Sequence, residues 1–396
     1  MDIALTVASE VPSSFEKLNP SGLITIDLAR LDRAVEQALR FAEQHPIDAV
    51  LGVDDDTAVV AAAIAQSLGV SGNAVEATQA ARNKYEQRVL LRDAGVSVPD
   101  FSLHQLEDDP HHIASKTKYP AVIKPLSLSA SRGVIRIDNE REFVSAHQRL
   151  SRILDEPQLG NRGLMRTAYL VEEYVHGNEV AVEGLVHDGV FHLLAVFDKP
   201  DPLYGPYFEE TIYVTPSRAP RLVHSAIETC VSASASAIGL TTGPIHAEVR
   251  YDGEALWMIE LAARPIGGKC SRMLRFGEER ESLERMLIRV ELEGGAIPPR
   301  EPDASGVMML PTPKRGVFRE IRGLGDAERV SGITEILVTA HPGQPALPLP
   351  EGSRYLGFMF ARGAEPAEVE AALREAYKRL EIVIENGEQG AESGEQ

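Results

Sequence analysis

Apolar positions between Leu31 and His45 recur every three to four residues and stop at Pro46, which predicts an amphipathic helix, and the preceding DIALTVAS reads as a short strand. The run IDAVLGV, residues 47–53, is continuously apolar and predicts a buried strand. It leads into the acidic loop Asp54, Asp55, Asp56, Thr57 and a helix from Ala58 to Leu68 closed by Gly69. Strand, loop and helix in that order make an α/β unit whose loop lies where open sheets bind ligands, although no GxGxxG accompanies it. A further helix starts at Asn83, which forms a capping box with Glu86, and ends at Gly95 before the extended Val98-Pro99 step. A first boundary falls near residue 100.

Residues 119–187 alternate strands and turns: AVIKP, GVIRI, a helix capped at Asn139 with Glu142, YLVEEYV and EVAVEGLV. A small α+β subdomain follows from that order. The strand FHLLAVF runs into the Pro- and Gly-rich loop DKPDPLYGPYFEE, and irregular stretches of that length are usually functional or mobile. Residues 223–239 read as a helix ending at Gly239, followed by a hairpin around Asp252-Gly253 and a helix from roughly Glu278 to Glu293. After the linker GGAIPPREPDASG come strands in VMMLP, EILVTA and YLGFMFARG and a helix from Pro366 to Leu380. The final ENGEQGAESGEQ is polar and of low complexity, and disorder is expected there. No internal repeat is visible.

The 396 residues, 43% hydrophobic and 25% charged, suffice for two or three domains with a sizeable core. A formal charge of -19 argues against a nucleic-acid backbone binder, which needs a basic face. Any anionic ligand must therefore be met by local Lys and Arg. Cys230 and Cys270 are too few for a disulfide framework and lack metal-ligand spacing, so a reducing cytoplasm is the expected setting. The acidic start has no basic n-region and no apolar stretch reaches membrane length, so neither a signal peptide nor a membrane partner is expected.

Two carboxylates, Glu248 and Glu260, lie on neighbouring predicted strands with His246 and Arg264 at matching parity. Alternation puts His246, Glu248 and Arg250 on one face, and Met258, Glu260, Ala262 and Arg264 on one face of the next strand. A two-residue Asp252-Gly253 turn would pair residues whose numbers sum to an odd value and separate the two acids. An odd-length or bulged connection would bring them together, and a hard divalent cation would then relieve their repulsion. The alternative is a surface hairpin with solvated acids. Lys124, at the end of YPAVIKP, precedes the loop Ser127-Leu128-Ser129-Ala130-Ser131-Arg132-Gly133. That combination suits a polyphosphate, with a point charge and backbone N–H groups, or else is a flexible connector beside a solvated lysine. Glu172, Glu173, Tyr174 and Val175 end a strand before Gly177, and Glu179 opens the next, an arrangement that fits a nucleotide base and ribose or simply a hairpin with acidic ends.

In order, Lys84, YPAVIKP, SLSASRGV, LVEEYVHGNEV, IHAEV and MIELAARP resemble the motifs of the ATP-grasp superfamily over roughly residues 45–290. Within it the chain is most similar to the L-amino acid ligase group of carboxylate-amine ligases, whose paired HxE and ExxxR segments resemble His246-Ala247-Glu248 and Glu260 to Arg264. The resemblance implies an ATP-grasp fold of α/β and α+β type. Its parts would be an N-terminal Rossmann-like pre-ATP-grasp domain (1–100), an ATP-grasp domain (101–300, mobile lid about 118–170), a C-terminal α+β domain (301–384) and a disordered tail (385–396).

It also implies that Lys84 and Lys124 contact ATP phosphates under the loop carrying Ser127, Ser129, Ser131 and Gly133, that Glu172 with backbone at Glu173, Tyr174 and Val175 holds adenine, and that Glu179 holds ribose. Glu248 and Glu260 would bind magnesium, two ions, with manganese as an alternative. Arg264, assisted by His246, would stabilise the acylphosphate and tetrahedral oxyanions as the phosphorylated carboxylate meets an amine. Small carboxylates and amines are the implied partners, with a homodimer as the implied assembly. GPYFEETIYVTP resembles the substrate loop of these ligases, but Tyr213 stands where a histidine is expected three residues after Glu210, which leaves the substrate open. Lys199 and Arg218 flank this loop as candidates to meet a carboxylate, with solvated surface charge as the alternative for each. An ATP-grasp carboxylase, a purine-pathway ligase and a non-catalytic ATP-binding regulatory module are the competing functions.

Overall fold

Small residues and side-chain caps shape the amino-terminal part of the computed structural model, which describes residues 3–11, 22–159 and 163–386. Strands β1 (Val7–Ser9) and β2 (Leu23–Thr25) pair in parallel beside α1 (Leu31–Ala42) and α2 (Asp55–Leu68). Ala34 and Ala38 of α1 bury against Val60 and Ile64 of α2. Helix α2 starts three residues earlier than its apolar pattern predicts, because Asp54 caps it: the carboxylate accepts from the Thr57 N–H at 2.7 Å and Thr57 Oγ1 accepts from the Asp54 N–H at 3.1 Å. Gly69, left-handed at φ +70°, closes it as expected.

Residues 47–53 do not form the expected buried strand. The segment is largely half-exposed irregular chain, and Val50 packs against the α1–α2 core without a strand ladder. A continuous apolar run reports burial of side chains, which needs no ladder. Helix α3 (Val75–Arg82), which the periodicity did not single out, precedes α4 (Lys84–Asp93), capped by Asn83 through the Tyr85 N–H at 3.1 Å and paired with Glu86 as expected.

Next come β3 (Phe101–Gln105), α5 (Pro110–Ala114), β4 (Ala121–Pro125), β5 (Ile135–Ile137), α6 (Glu140–Leu154), α7 (Leu164–Thr167) and β6 (Ala168–Glu173). They build an antiparallel four-stranded sheet, β3-β6-β4-β5, with Phe143 and Leu150 of α6 in its core. The remainder is organised by an eight-stranded sheet in the order β11-β10-β7-β8-β9-β14-β18-β16. Its strands are β7 (Asn178–His187), β8 (Val190–Asp198), β9 (Ile212–Thr215), β10 (Gly243–Tyr251), β11 (Leu256–Ala262), β14 (Ala304–Leu310), β16 (Ile333–Val338) and β18 (Gly357–Gly363). Helix α8 (Arg221–Ile238) covers one face through Ile227 and Val231, which meet Val180, Val182 and Leu261. The hairpin β12 (Arg275–Phe276) and β13 (Glu281–Ser282) leads into α9 (Leu283–Glu293), which begins five residues later than expected because Ser282 caps it. A three-stranded sheet of β17 (Pro345–Ala346), β15 (Gly316–Arg322) and β19 (Glu381–Glu385), with α10 (Leu324–Glu328) and α11 (Pro366–Tyr377), completes the fold.

Strand β9 pairs with β14, so one sheet runs through the expected 300/301 boundary. Gly306 makes this crossing possible, since a Cβ there would lie 2.9 Å from the Tyr213 carbonyl oxygen and 2.8 Å from Val369. The expected disordered tail overlaps β19 at Glu385; residues 387–396 lie outside the described residues. Among the described residues no helix is long and apolar enough to cross a membrane.

The β10–β11 pairing decides which side chains share a face. Tyr251 faces Leu256 across a four-residue connection, an odd-sum register that continues to Val249 opposite Met258. A bulge between Glu248 and Val249 then leaves Ile259 unopposed and sets Glu248 directly against Glu260. The two acids therefore share a face through a strand bulge and not through the turn. The same bulge overturns the expectation that Met258 accompanies Glu260: Met258 is fully buried with Val249 and Leu261 beneath α8. Met258→Ala is expected to destabilise the protein by about 2–5 kcal/mol in denaturant unfolding, because it empties a core position. An unchanged midpoint would place Met258 on the open face and remove the bulge.

Candidate active site

Polar residues at helical spacing on α4 turn inward and not toward solvent. Lys84, Gln87 and Arg88 are all buried, and together they fasten three elements around a cleft of about 700 Å³. Gln87 clamps β11 through both amide groups, donating to the Leu261 carbonyl at 2.7 Å and accepting the Leu261 N–H at 3.1 Å. Arg88 donates through Nε to Glu172 of β6 at 2.8 Å and through Nη2 to the carbonyl of the bulged Ile259. Lys84 Nζ meets Glu260 Oε1 at 2.8 Å and the Leu128 carbonyl in the serine loop at 3.0 Å.

Lys124 leaves the end of β4 beside this cluster, its Nζ 2.5 Å from Glu172. Burial, followed by the neighbouring Arg88 charge, pushes Lys124 down to about 8 despite Glu172. Burial also acts on Glu172, but Arg88 and Lys124 outweigh it and hold that carboxylate below its ordinary range. Glu172 therefore gives both oxygens to cations and orients Lys124, and it lines the cleft beside the backbone expected to meet a base. Glu173, Tyr174 and Val175 line the cleft next to the apolar Val122, Val134, Leu203 and Phe208.

Deeper in the cleft Lys199, almost fully buried, reaches three carboxylates: Glu179 at 2.7 Å, Glu248 at 2.8 Å and Glu210 at 2.9 Å. Burial disfavours its charge, yet the three acids hold its pKa well above the ordinary lysine value. Glu179 also accepts from Arg250 Nε at 2.7 Å, and Glu210 accepts from the hydroxyls of Tyr213 at 2.6 Å and Tyr355 at 3.3 Å. Burial raises Glu210, but the Lys199 charge and hydrogen bonds with Glu248, Tyr213 and Lys199 bring it down to about 2. Glu248 moves the other way. Burial and the charges of Glu210, Glu179 and Glu260 push it to about 8 against the pull of Lys199. Lys199 alone does not offset burial and the neighbouring acids, and a divalent cation between Glu248 and Glu260 would. Among the described residues no group of three or more His, Cys, Asp or Glu is arranged to hold a metal; the facing pair Glu248 and Glu260 is the number of carboxylates with which magnesium is usually held, phosphates and water completing its shell.

Arg264, just beyond β11, lines the same cleft and is tethered through Nε to Asp55 Oδ1 at 2.8 Å. One acid of the predicted acidic run thus caps α2 and the next holds Arg264. His246 is buried and pushed down to about 3, first by burial and then by Arg264 and Lys199, so it is neutral near pH 7. Its Nδ1 has no hydrogen-bond partner among the described residues and lies 3.8 Å from Glu183 Oε2. Glu183, which accepts the Ile266 N–H at 3.0 Å, is raised well above the carboxylate range by burial.

Most of the expected residues thus come together: Lys84, Lys124, Ser129, Ser131, Glu172, Glu173, Tyr174, Val175, Glu179, Glu210, Tyr213, His246, Glu248, Glu260 and Arg264 all line one cleft. Ser127 and Gly133 do not, and Gly133 instead donates its N–H backwards to the Pro350 carbonyl at 2.9 Å. Arg218 turns away to Asp198 and Glu370. Sequence reasoning missed Arg88 and Glu183 and underrated Lys199. Arg88 carried a usable signal, its i+4 spacing from Lys84 on one helix face.

The sequence and fold have known counterparts. Residues 117–273 match a family model described as an ATP-grasp domain, and residues 308–385 match one described as L-amino acid ligase C-terminal domain 2. An alanine–anticapsin ligase of Bacillus subtilis (strain 168) is 25% identical over 250 residues, 60% of this chain and 52% of that protein. The chain thus spans about half the length of that relative. The crystal structure of an L-amino acid ligase from Bacillus licheniformis superposes with a TM-score of 0.77 at 25% identity, covering 92% of this chain and 88% of that one. A biotin carboxylase domain from Hydrogenobacter thermophilus, solved with MgADP, ADP and bicarbonate, shares the fold at a TM-score of 0.65 and 16% identity, covering 92% of this chain and 82% of that one. Residues 117–273 are thus an ATP-grasp domain, followed at 308–385 by the C-terminal domain 2 found in L-amino acid ligases.

Proposed function

We propose that the protein is an ATP-dependent carboxylate-amine ligase that joins amino acids or similar small molecules through an acylphosphate, releasing ADP and phosphate. The observation that carries this reading is the meeting of Glu248 and Glu260 on one face with Lys84, Lys124 and Arg264 lining the same cleft. In this reading adenine lies among Val122, Val134, Leu203 and Phe208, against the backbone at 173–175. Glu179 turns its remaining lone pairs to the ribose, since a carboxylate has about four acceptor sites. Lys84 and Lys124 hold the phosphates while Ser129 and Ser131 cover them.

Glu248 and Glu260 would hold magnesium, which would supply charge neutralisation of the phosphates. Arg264, its orientation fixed by Asp55, presents its guanidinium to the carbonyl oxygen of the acylphosphate, which becomes negative when the amine attacks and before phosphate leaves. His246, neutral, shapes this site without exchanging a proton at neutral pH. Glu210 anchors a substrate ammonium group. With Tyr213 and Tyr355 donating to it, Glu210 faces a pocket narrowed by two phenols, in place of the histidine-containing pocket that the resemblance implies.

An ATP-consumption screen over amino acids and small carboxylates, singly and in pairs, is expected to show ADP release that depends on the pair, with a product mass equal to the two substrates less one water. ADP release that stays flat across all pairs while ATP still binds would favour a regulatory module instead. Glu260→Gln is expected to lower turnover at least about a hundredfold, because losing the metal removes several kcal/mol of charge stabilisation. Activity near wild type in that variant would refute the metal assignment.

Lys124 gives a pH signature. Its charged form binds phosphate, so ATP affinity measured in EDTA should be highest below pH 8 and fall as the lysine loses its proton, by up to about tenfold per pH unit. Lys124→Arg keeps its charge throughout and should flatten the profile; an unchanged slope in that variant would point to another group.

A further inference from the structure

The serine loop is fastened from behind by a segment far away in sequence. Arg149 on α6 forms a two-pronged ion pair with Glu351, Nε to Oε1 at 2.5 Å and Nη2 to Oε2 at 2.8 Å. Arg132, within the loop, donates through Nε to the Glu351 carbonyl at 2.8 Å and pairs with Glu156 at 2.5 Å. Gly133 donates to the Pro350 carbonyl at 2.9 Å. Arg149 also donates to the Tyr207 hydroxyl, and its guanidinium carbon lies 5.1 Å from the centre of that ring. Arg315 approaches Glu351 from solvent at 3.9 Å. Two to four residues past Glu351, Ser353, Arg354 and Tyr355 line the cleft, and Tyr355 donates to Glu210.

We propose that Glu351 is a positioning residue that holds the 127–133 loop shut over the phosphates and ties that closure to the cleft wall that receives the second substrate. The inference rests on the ligase reading above. Glu351 touches no reacting atom. It fixes Arg149 through its side chain and Arg132 through its carbonyl, while the adjacent Pro350 carbonyl fixes Gly133. The loop is thereby held at two points, the Arg132 side chain and the Gly133 N–H, while the Glu351 side chain fixes α6 beside it. Its consequence is chemical. An acylphosphate left open to solvent is attacked by water, which breaks the carbonyl carbon to oxygen bond, returns the carboxylate and releases phosphate, so that ATP is spent and no amide forms. A closed loop reserves that carbon for the amine.

The test compares wild type with Glu351→Ala, Glu351→Gln, Arg149→Ala and the exchange pair Arg149→Glu/Glu351→Arg, using a substrate pair that wild type turns over. Phosphate released per amide formed, ATP affinity and thermal midpoint are measured on each full-length variant. The ratio is expected near one in wild type, to rise several-fold in Glu351→Ala and Arg149→Ala, to rise less in Glu351→Gln, and to return toward wild type in the exchange pair. An unchanged ratio in folded Glu351→Ala and Arg149→Ala, even with slower turnover, would reduce Glu351 to a structural contact and overturn the proposal.

Hydrogen exchange of residues 129–134 with ATP bound keeps the two readings separable. Faster exchange in Glu351→Gln than in wild type supports the positioning role even if no substrate pair yields an amide, an outcome that would sink the ligase reading alone. Equal exchange overturns the positioning role.

Discussion

Five carboxylates, Glu172, Glu179, Glu210, Glu248 and Glu260, are gathered in one cleft, buried at Glu172 and partly open at Glu260, and the rest of the structure is arranged to bring cations to them. Arg88 and Lys124 answer Glu172, Lys84 answers Glu260, and Lys199 with Arg250 answers the group around Glu179. Removing one partner from such a buried pair typically costs about 3–5 kcal/mol, because the other is left uncompensated. The cations therefore fix elements as well as charges. Helix α4 is bound to β6 and β11 by Arg88, and the end of β8 is bound to β7 and β10 by Lys199. Glu248 is the one acid whose surroundings leave it raised, which is why it stands out as the place for an added positive charge.

That arrangement explains which parts were legible in the sequence. Side-chain caps and left-handed glycines act over a few residues, so Asn83 with Glu86, Asn139 with Glu142, Gly69 and Gly239 were all readable. The ordered motifs located the cleft because each ends a strand or opens a loop. Burial of polar residues was not readable. Gln87 and Arg88 read as a solvated helix face, and Lys199 beside Asp198 as surface charge, until distant chain supplies partners: Glu172 is 84 residues from Arg88 and Glu248 is 49 residues from Lys199.

The bulge at Ile259 lay between these cases. Alternation alone predicted that the two acids needed an irregular connection, but it could not say whether the turn or the strand supplied it. Met258 was consequently assigned to the open face, whereas the extra residue sends it to the core. The apolar run at 47–53 failed for a different reason, since it stays half-exposed and only Val50 packs on the α1–α2 core, with no strand beside it.

The ladder between β9 and β14 has a mechanical meaning. By running one sheet from β11 to β16 it welds the wall that carries Glu248, Glu260 and Glu210 to the strands that support Tyr355 and Phe358. A continuous ladder cannot part along its length without breaking backbone hydrogen bonds, so this slab behaves as an anvil. The small four-stranded sheet and its serine loop stand outside that ladder, so moving them would break none of its hydrogen bonds.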